Sequence, residues 1–145
     1  MTVSGTLIGL DFGERRIGVA VGETSIGIAS AVGVIKEAGD ARRLAAIDRL
    51  EAEWHPAAFV VGQPRHSDGS EHEVARRAAR FARRLAARYR LPVMLVDETL
   101  TSVEAERQLR EVDARPLRKT HVDAVAAALI LQSYFDDPSH AHAAS

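Results

Sequence analysis

The chain contains no cysteine, which excludes disulfide frameworks, thiolate zinc sites and cysteine nucleophiles together. Any chemistry falls to oxygen and nitrogen side chains. No run of about eighteen or more apolar residues occurs, and Met1 to Leu10 has no basic leader segment, so a soluble, cytoplasmic protein with no membrane partner is expected. An excess of charge of either sign is missing too. A formal net charge of -1 argues against a protein that coats nucleic acid indiscriminately, since such domains are usually strongly basic. Any such contact must come from a local patch. There is also no G-x-x-x-x-G-K-[ST], no G-x-G-x-x-G after a strand and no G-x-S-x-G, so nucleotide switches, dinucleotide enzymes and serine hydrolases recede.

What is present fits one α/β domain, since 145 residues can bury roughly two thirds of the unfolded surface without staples. Thr6 to Asp11 is an almost unbroken apolar run, the pattern of a strand buried on both sheet faces. Arg16 to Val21 and Ile26 to Ile35 follow, rich in β-branched residues and set off by glycine turns, which predicts an antiparallel meander. The period then changes to helical over Asp40 to Trp54, ended by His55-Pro56. Ala57 to Gly62, Val74 to Arg90 behind the capping box Ser70-x-x-Glu73, and Pro92 to Val96 form a βαβ unit with two parallel strands. Helices from Thr101 to about Glu111 and from about Thr120 to Phe135 complete the chain. The expectation is a five-stranded mixed sheet with element order βββαβαβαα over residues 1–135 and a disordered tail over 136–145.

Carboxylates at three places stand out because each place borders apolar surroundings, where an uncompensated charge costs several kcal/mol, about 3 or more. Asp11 ends the first buried strand, and Asp97 and Glu98 end the last one. If those strands are parallel, both ends share the edge where open α/β sheets bind ligands. Asp123 lies in the first turn of the final helix, whose apolar residues Val122, Val125, Ala126, Leu129 and Ile130 mark the core side. Each acid also has a plain structural reading: Asp11 as a turn cap, Asp97 or Glu98 as a helix-dipole partner, Asp123 as the second half of a capping pair with Thr120. Their coincidence is what makes a site. Carboxylates meeting at one edge repel unless a cation joins them, and an all-oxygen set favours Mg2+ or Mn2+ over zinc. Two such ions hydrolyse phosphodiesters in line, one activating water and the other stabilising the leaving oxygen.

Basic residues close to these acids are candidate phosphate ligands: Arg15 and Arg16 after Asp11, Arg65 in the loop leaving the fourth strand, and Arg118 and Lys119 before Asp123. His66 in that loop reads more simply as a solvated side chain, and His140 and His142 are too sparse for a metal site. Arg76, Arg77, Arg80, Arg83, Arg84, Arg88 and Arg90 cover about half the circumference of one helix when projected at about 100° per residue. They could follow a nucleic-acid backbone, or form a solvated face, or pair with acids of a second subunit in a homodimer.

Four blocks in order resemble the YqgF/RuvX family: L-I-G-L-D-F-G-E-R-R-I-G-V-A-V from Leu7, V-V-G-Q-P-R-H-S-D-G-S from Val60, V-D-E-T-L-T-S-V-E-A-E from Val96 and H-V-D-A-V-A-A-A-L-I-L-Q from His121. The resemblance implies an RNase H-like fold related to RuvC-type resolvases, and maps an acidic triad that is both catalytic and metal-binding onto Asp11, Glu98 and Asp123. It prefers Glu98 to Asp97, which the pattern of residues leaves open. It also implies branched DNA, as a Holliday junction resolvase, or precursor ribosomal RNA, as a nuclease for the 5′ end of 16S rRNA. Gln63, Arg65, His66 and Ser67 depart from a loop that in the family often reads Leu, Leu, Asn and Met, which bears on substrate preference. Two other function classes share the fold: a nucleic-acid-binding or ribosome-assembly factor that does not cut, and an actin-like ATPase or phosphotransferase, of which this chain would supply half a cleft.

Overall fold

The computed structural model describes residues 3–37, 39–63, 70–97 and 119–144. Strands β1 (Thr6–Phe12), β2 (Ile17–Glu23) and β3 (Ile28–Ile35) form the expected antiparallel meander, broken in register by an irregularity at Val19/Ala20. Helix α1 (Asp40–Trp54) follows and stops at His55, which takes a left-handed conformation (φ 47°) and donates its amide to Glu51 at 2.9 Å. Then come β4 (Ala58–Gln63), α2 (Ser70–Tyr89), β5 (Val93–Asp97) and a last helix, α3 (Lys119–Asp136). The helix expected between Thr101 and Glu111 lies outside the described residues.

β1 runs parallel to β4, and β4 parallel to β5, so the C-terminal ends of these three strands share one edge of the sheet. Alternation along β1 divides the molecule into two layers. Ile8, Leu10 and Phe12 enter a core with Ile47 of α1 and Phe81 and Leu85 of α2, whereas Leu7 enters a second core with Ala127, Ile130, Leu131 and Tyr134 of α3. The first layer is built of large aliphatic and aromatic side chains. The second is thin, because α3 sits almost on the sheet backbone.

Two expectations need correction. The sheet has six strands, in the order β3-β2-β1-β4-β5-β6, and the tail supplies the sixth. Asp137 accepts from the amide of Ser139 to start a short 3-10 helix (Pro138–His140), and β6 (His142–Ala143) then pairs antiparallel with β5. Composition read residues 136–145 as disordered, but β5 would otherwise leave edge groups open, and the Ala144 amide reaches the Val93 carbonyl at 2.9 Å. The second correction concerns α3. Its most buried positions are Ala124, Ala126, Ala127, Ile130, Leu131 and Tyr134, while Val122, Val125 and Leu129 are only half-buried. Alanines in the first half of the helix, and Ile130, Leu131 and Tyr134 after them, meet the sheet, so of the expected stripe Ala126 and Ile130 are buried.

Candidate metal and nucleic-acid site

That close approach has a specific cause. A Cβ built on Gly9 would stand 2.8 Å from Leu131 Cβ, and one on Gly18 only 1.9 Å from the backbone oxygen of Asp123. Both glycines are therefore contact surfaces for α3, and no larger residue fits Gly18 without moving the helix. Gly18 is the β2 partner of Asp11, and directly opposed residues of antiparallel strands share a face. Asp123, one turn into α3 and not in its first turn as expected, thus has its backbone one strand, about 4.8 Å, from Asp11 and on the same face. Asp11 and Asp123, 112 positions apart in the chain, become neighbours at the strand-end edge.

Both carboxylates are half-buried. Arg16, the residue before β2, sets its Nε 2.9 Å from Asp123 Oδ2 and supplies one positive charge where repulsion would be greatest. Arg15 is exposed beside it. Lys119 opens α3. Glu98, Arg65, His66 and Arg118 lie outside the described residues.

Asp97 takes the other face of the sheet. It is the register partner of Gln63, whose side-chain amide donates to the Ala75 carbonyl of α2 at 3.1 Å, and its β5 neighbours Val93 and Leu95 belong to the α1/α2 core. Val96 is in the α3 core and lies in the row Gly18, Asp11, Gly62, Val96 across the sheet. Among the described residues no group of three or more His, Asp or Glu side chains is close enough to hold an ion. Two oxygen-donor side chains on one face do fit part of the shell of a hard divalent cation.

The arginine helix has a different occupation. Arg84 pairs with Asp40 of α1, and Arg88 binds Asp48 through both Nε (2.9 Å) and Nη2 (2.6 Å). Tyr89 donates its hydroxyl to the same Asp48 at 2.5 Å, and these bonds hold the Asp48 carboxyl at about 2, below its ordinary value. Arg77 reaches Glu14 and Glu73, and Arg76 reaches Glu73. The acids that several arginines meet belong to the same chain, three of the pairs joining α2 to α1 or to the turn after β1.

Two residues important to this geometry were given no role by the sequence. Gly18, inside the first motif block, is one. The other is Arg43, which is 3% exposed and lies three and four residues before Ala46 and Ile47 on the buried face of α1.

A mixed sheet with a meander, parallel strands ending in acids and a helix carrying a further acid across β1 and β2 is the RNase H-like arrangement of RuvC-type resolvases. The structure of Thermus thermophilus RuvC in complex with a Holliday junction substrate superposes with a TM-score of 0.61 at 16% identity, covering 96% of this chain and 99% of that one. The yeast mitochondrial Holliday junction resolvase Ydc2 gives 0.61 at 10% identity, covering 93% and 79%. Those likenesses are of fold. In sequence, the model of RuvX, described as a Holliday junction resolvase, matches residues 5–137. A Dechloromonas aromatica (strain RCB) protein named "Putative pre-16S rRNA nuclease" is 49% identical over 141 residues, covering 94% of each chain. One of the same name from Thiobacillus denitrificans is 50% identical over 134 residues, covering 91% of this chain and 92% of the other. The chain belongs to the RuvX family.

Proposed function

We propose that this protein is a divalent-metal-dependent endonuclease that hydrolyses phosphodiester bonds in structured nucleic acid, with Asp11, Glu98 and Asp123 as metal ligands. The observation that supports it best is the contact of Asp123 with Gly18, which sets two acids distant in sequence on one face beside each other. Glu98 comes to the set from the family resemblance and lies outside the described residues, whereas the described Asp97 has the other face. Bound Mg2+ or Mn2+, most simply as two ions, would activate water and stabilise the leaving oxygen.

The chain's own residues do the rest. Asp11 and Asp123 supply negative charge from rigid elements, a strand end and a helix turn fixed against the sheet. Arg16 limits their mutual repulsion, and Arg15, Arg65, Arg118 and Lys119 offer cations for the phosphates on either side of the scissile bond. The names of the relatives at 49% and 50% identity favour precursor ribosomal RNA, and the family description favours branched DNA. Both substrates ask for the same chemistry.

The test is side-by-side cleavage of a labelled four-way DNA junction and a precursor 16S rRNA fragment, with Mg2+, with Mn2+ and after exhaustive chelation. Metal-dependent cutting of either supports the reading. Cutting that survives chelation, or no cutting of either, overturns it.

A further inference from the structure

An arginine on the apolar stripe of a helix is costly unless its donors are satisfied. Arg43 meets backbone with two of its donors, its Nε donating to the Glu37 carbonyl at 3.0 Å and its Nη2 to the Glu14 carbonyl at 2.5 Å, and the Asp40 carboxylate favours its charged form. The guanidinium also lies 5.4 Å from the centre of the Phe12 ring. One side chain thereby joins the end of β1, the turn after it and the segment before α1. Beneath that turn is a cavity of about 250 Å³, lined among others by Phe12, Glu14, Asp40, Arg43 and Phe81. The guanidinium holds the turn from the side of this cavity. It is also tight, since a Cβ on Gly13 would meet the Arg16 carbonyl at 2.6 Å. Two residues after Glu14 stands Arg16, paired with Asp123.

We propose that Arg43 is a positioning residue for the carboxylate site: by holding the Glu14 carbonyl it fixes the turn that presents Arg16 to Asp123 and Arg15 to solvent at the sheet edge. It belongs to the α1/α2 layer, so it acts through the turn and touches none of the reacting groups. This inference rests on the nuclease reading for its effect on rate, though not for its effect on the turn. Lysine is a poor substitute, because a single ammonium cannot hold two carbonyls in the fixed fork that a guanidinium offers.

The experiment compares Arg43→Met, Arg43→Lys and Arg16→Ala in the full chain. Cleavage of whichever nucleic acid the wild type cuts, backbone amide exchange at residues 14–16 and thermal melting are the readouts. Arg43→Met should stay folded but melt below wild type, because the Glu14 and Glu37 carbonyls lose their donor while methionine keeps the apolar contacts. It should lose on the order of tenfold to a hundredfold in kcat, as misplaced groups do, with KM changed far less. Exchange at residues 14–16 should quicken while β4 stays protected. Arg43→Lys should recover part of both losses, and adding Arg43→Met to Arg16→Ala should cost little more, as for residues acting in one chain of contacts.

Unchanged kcat in folded Arg43→Met, or a loss fully additive with that of Arg16→Ala, would overturn the proposal. If Arg43→Met fails to fold, Arg43→Lys decides: wild-type exchange at residues 14–16 together with wild-type kcat overturns it. If the wild type cuts neither nucleic acid, the nuclease reading falls and the exchange rates alone decide the positioning role.

Discussion

The two faces of the sheet are built on different principles. The α1/α2 face is thick, packing Phe12, Phe59, Phe81, Leu85 and Ile47 between elements that Asp40–Arg84 and Asp48–Arg88 also tie together at the surface. The α3 face is thin, with glycine and alanine letting a helix lie against strand backbone and bring Asp123 beside Asp11. Large side chains stabilise by area removed from water. They cannot set two backbones at close range. Large side chains therefore concentrate on one face and the proposed metal ligands Asp11 and Asp123 on the other, with the Gly13–Arg16 turn between them.

The largest effect that can break this contrast is on stability alone. Leu85→Ala, in the thick core with no exposed surface, should cost about 2–5 kcal/mol, measured by denaturant unfolding. Cleavage per folded molecule should stay at the wild-type level, and a lowered kcat in the folded fraction would show that the two faces are not separate in function.

Next is Asp11→Asn, expected to reduce metal-dependent cleavage by at least about a hundredfold, since even outer partners of metal ligands are worth up to that much. Without metal its melting temperature should equal or exceed wild type, because a repelling charge is gone. Added Mg2+ should raise the melting temperature of the wild type more than that of the variant. Near-normal cleavage by Asp11→Asn would remove this residue from the site.

A glycine pair sharpens the contrast further. Gly18→Ala pushes a methyl group into the Asp123 backbone and should cost about 1–3 kcal/mol together with activity. Gly33→Ala on β3 meets nothing within 4 Å and should stay within about 0.5 kcal/mol of wild type. Equal behaviour of the two would mean that α3 tolerates displacement, against the close-approach argument.

The smallest effect belongs to the surface of the thick face. Asp48 titrates at about 2 against an ordinary 3.8, chiefly because Arg88 and then Tyr89 hydrogen-bond its carboxylate. A carboxyl lowered by folding stabilises the protein above its unfolded value, and that stabilisation is lost as pH falls through roughly 4 towards 2. The pair is partly exposed, so solvent keeps the effect small. Asp48→Asn should flatten the acid limb of stability between pH 4 and 2 while leaving cleavage at neutral pH unaltered.

Much of the architecture was legible in local pattern. The apolar run of β1, the βαβ unit and the helix stops at His55-Pro56 and Leu91-Pro92 all matched, because burial and backbone restriction act within a few residues. The arginine stripe was ambiguous, because its partners Asp40 and Asp48 lie some 40 positions away on α1. Arg43 could have been noticed as a charge on the stripe of Ala46, Ile47 and Leu50, but nothing local says that its partners are the carbonyls of Glu14 and Glu37. The tail was misread because strand addition depends on an open edge, not on the composition of the added segment.

The sequence by itself determined the absence of thiol chemistry, the strand and helix periods, the acids at apolar boundaries and the four motif blocks that mark the family. Those follow from residue type and spacing. Only the tertiary structure decided that Asp97 faces α2, that Arg84 and Arg88 of α2 pair with α1, and that Asp123 lies beside Asp11 over Gly18. Such outcomes depend on which face each strand presents and how closely a helix can approach it, and both are fixed by atoms far apart in the chain.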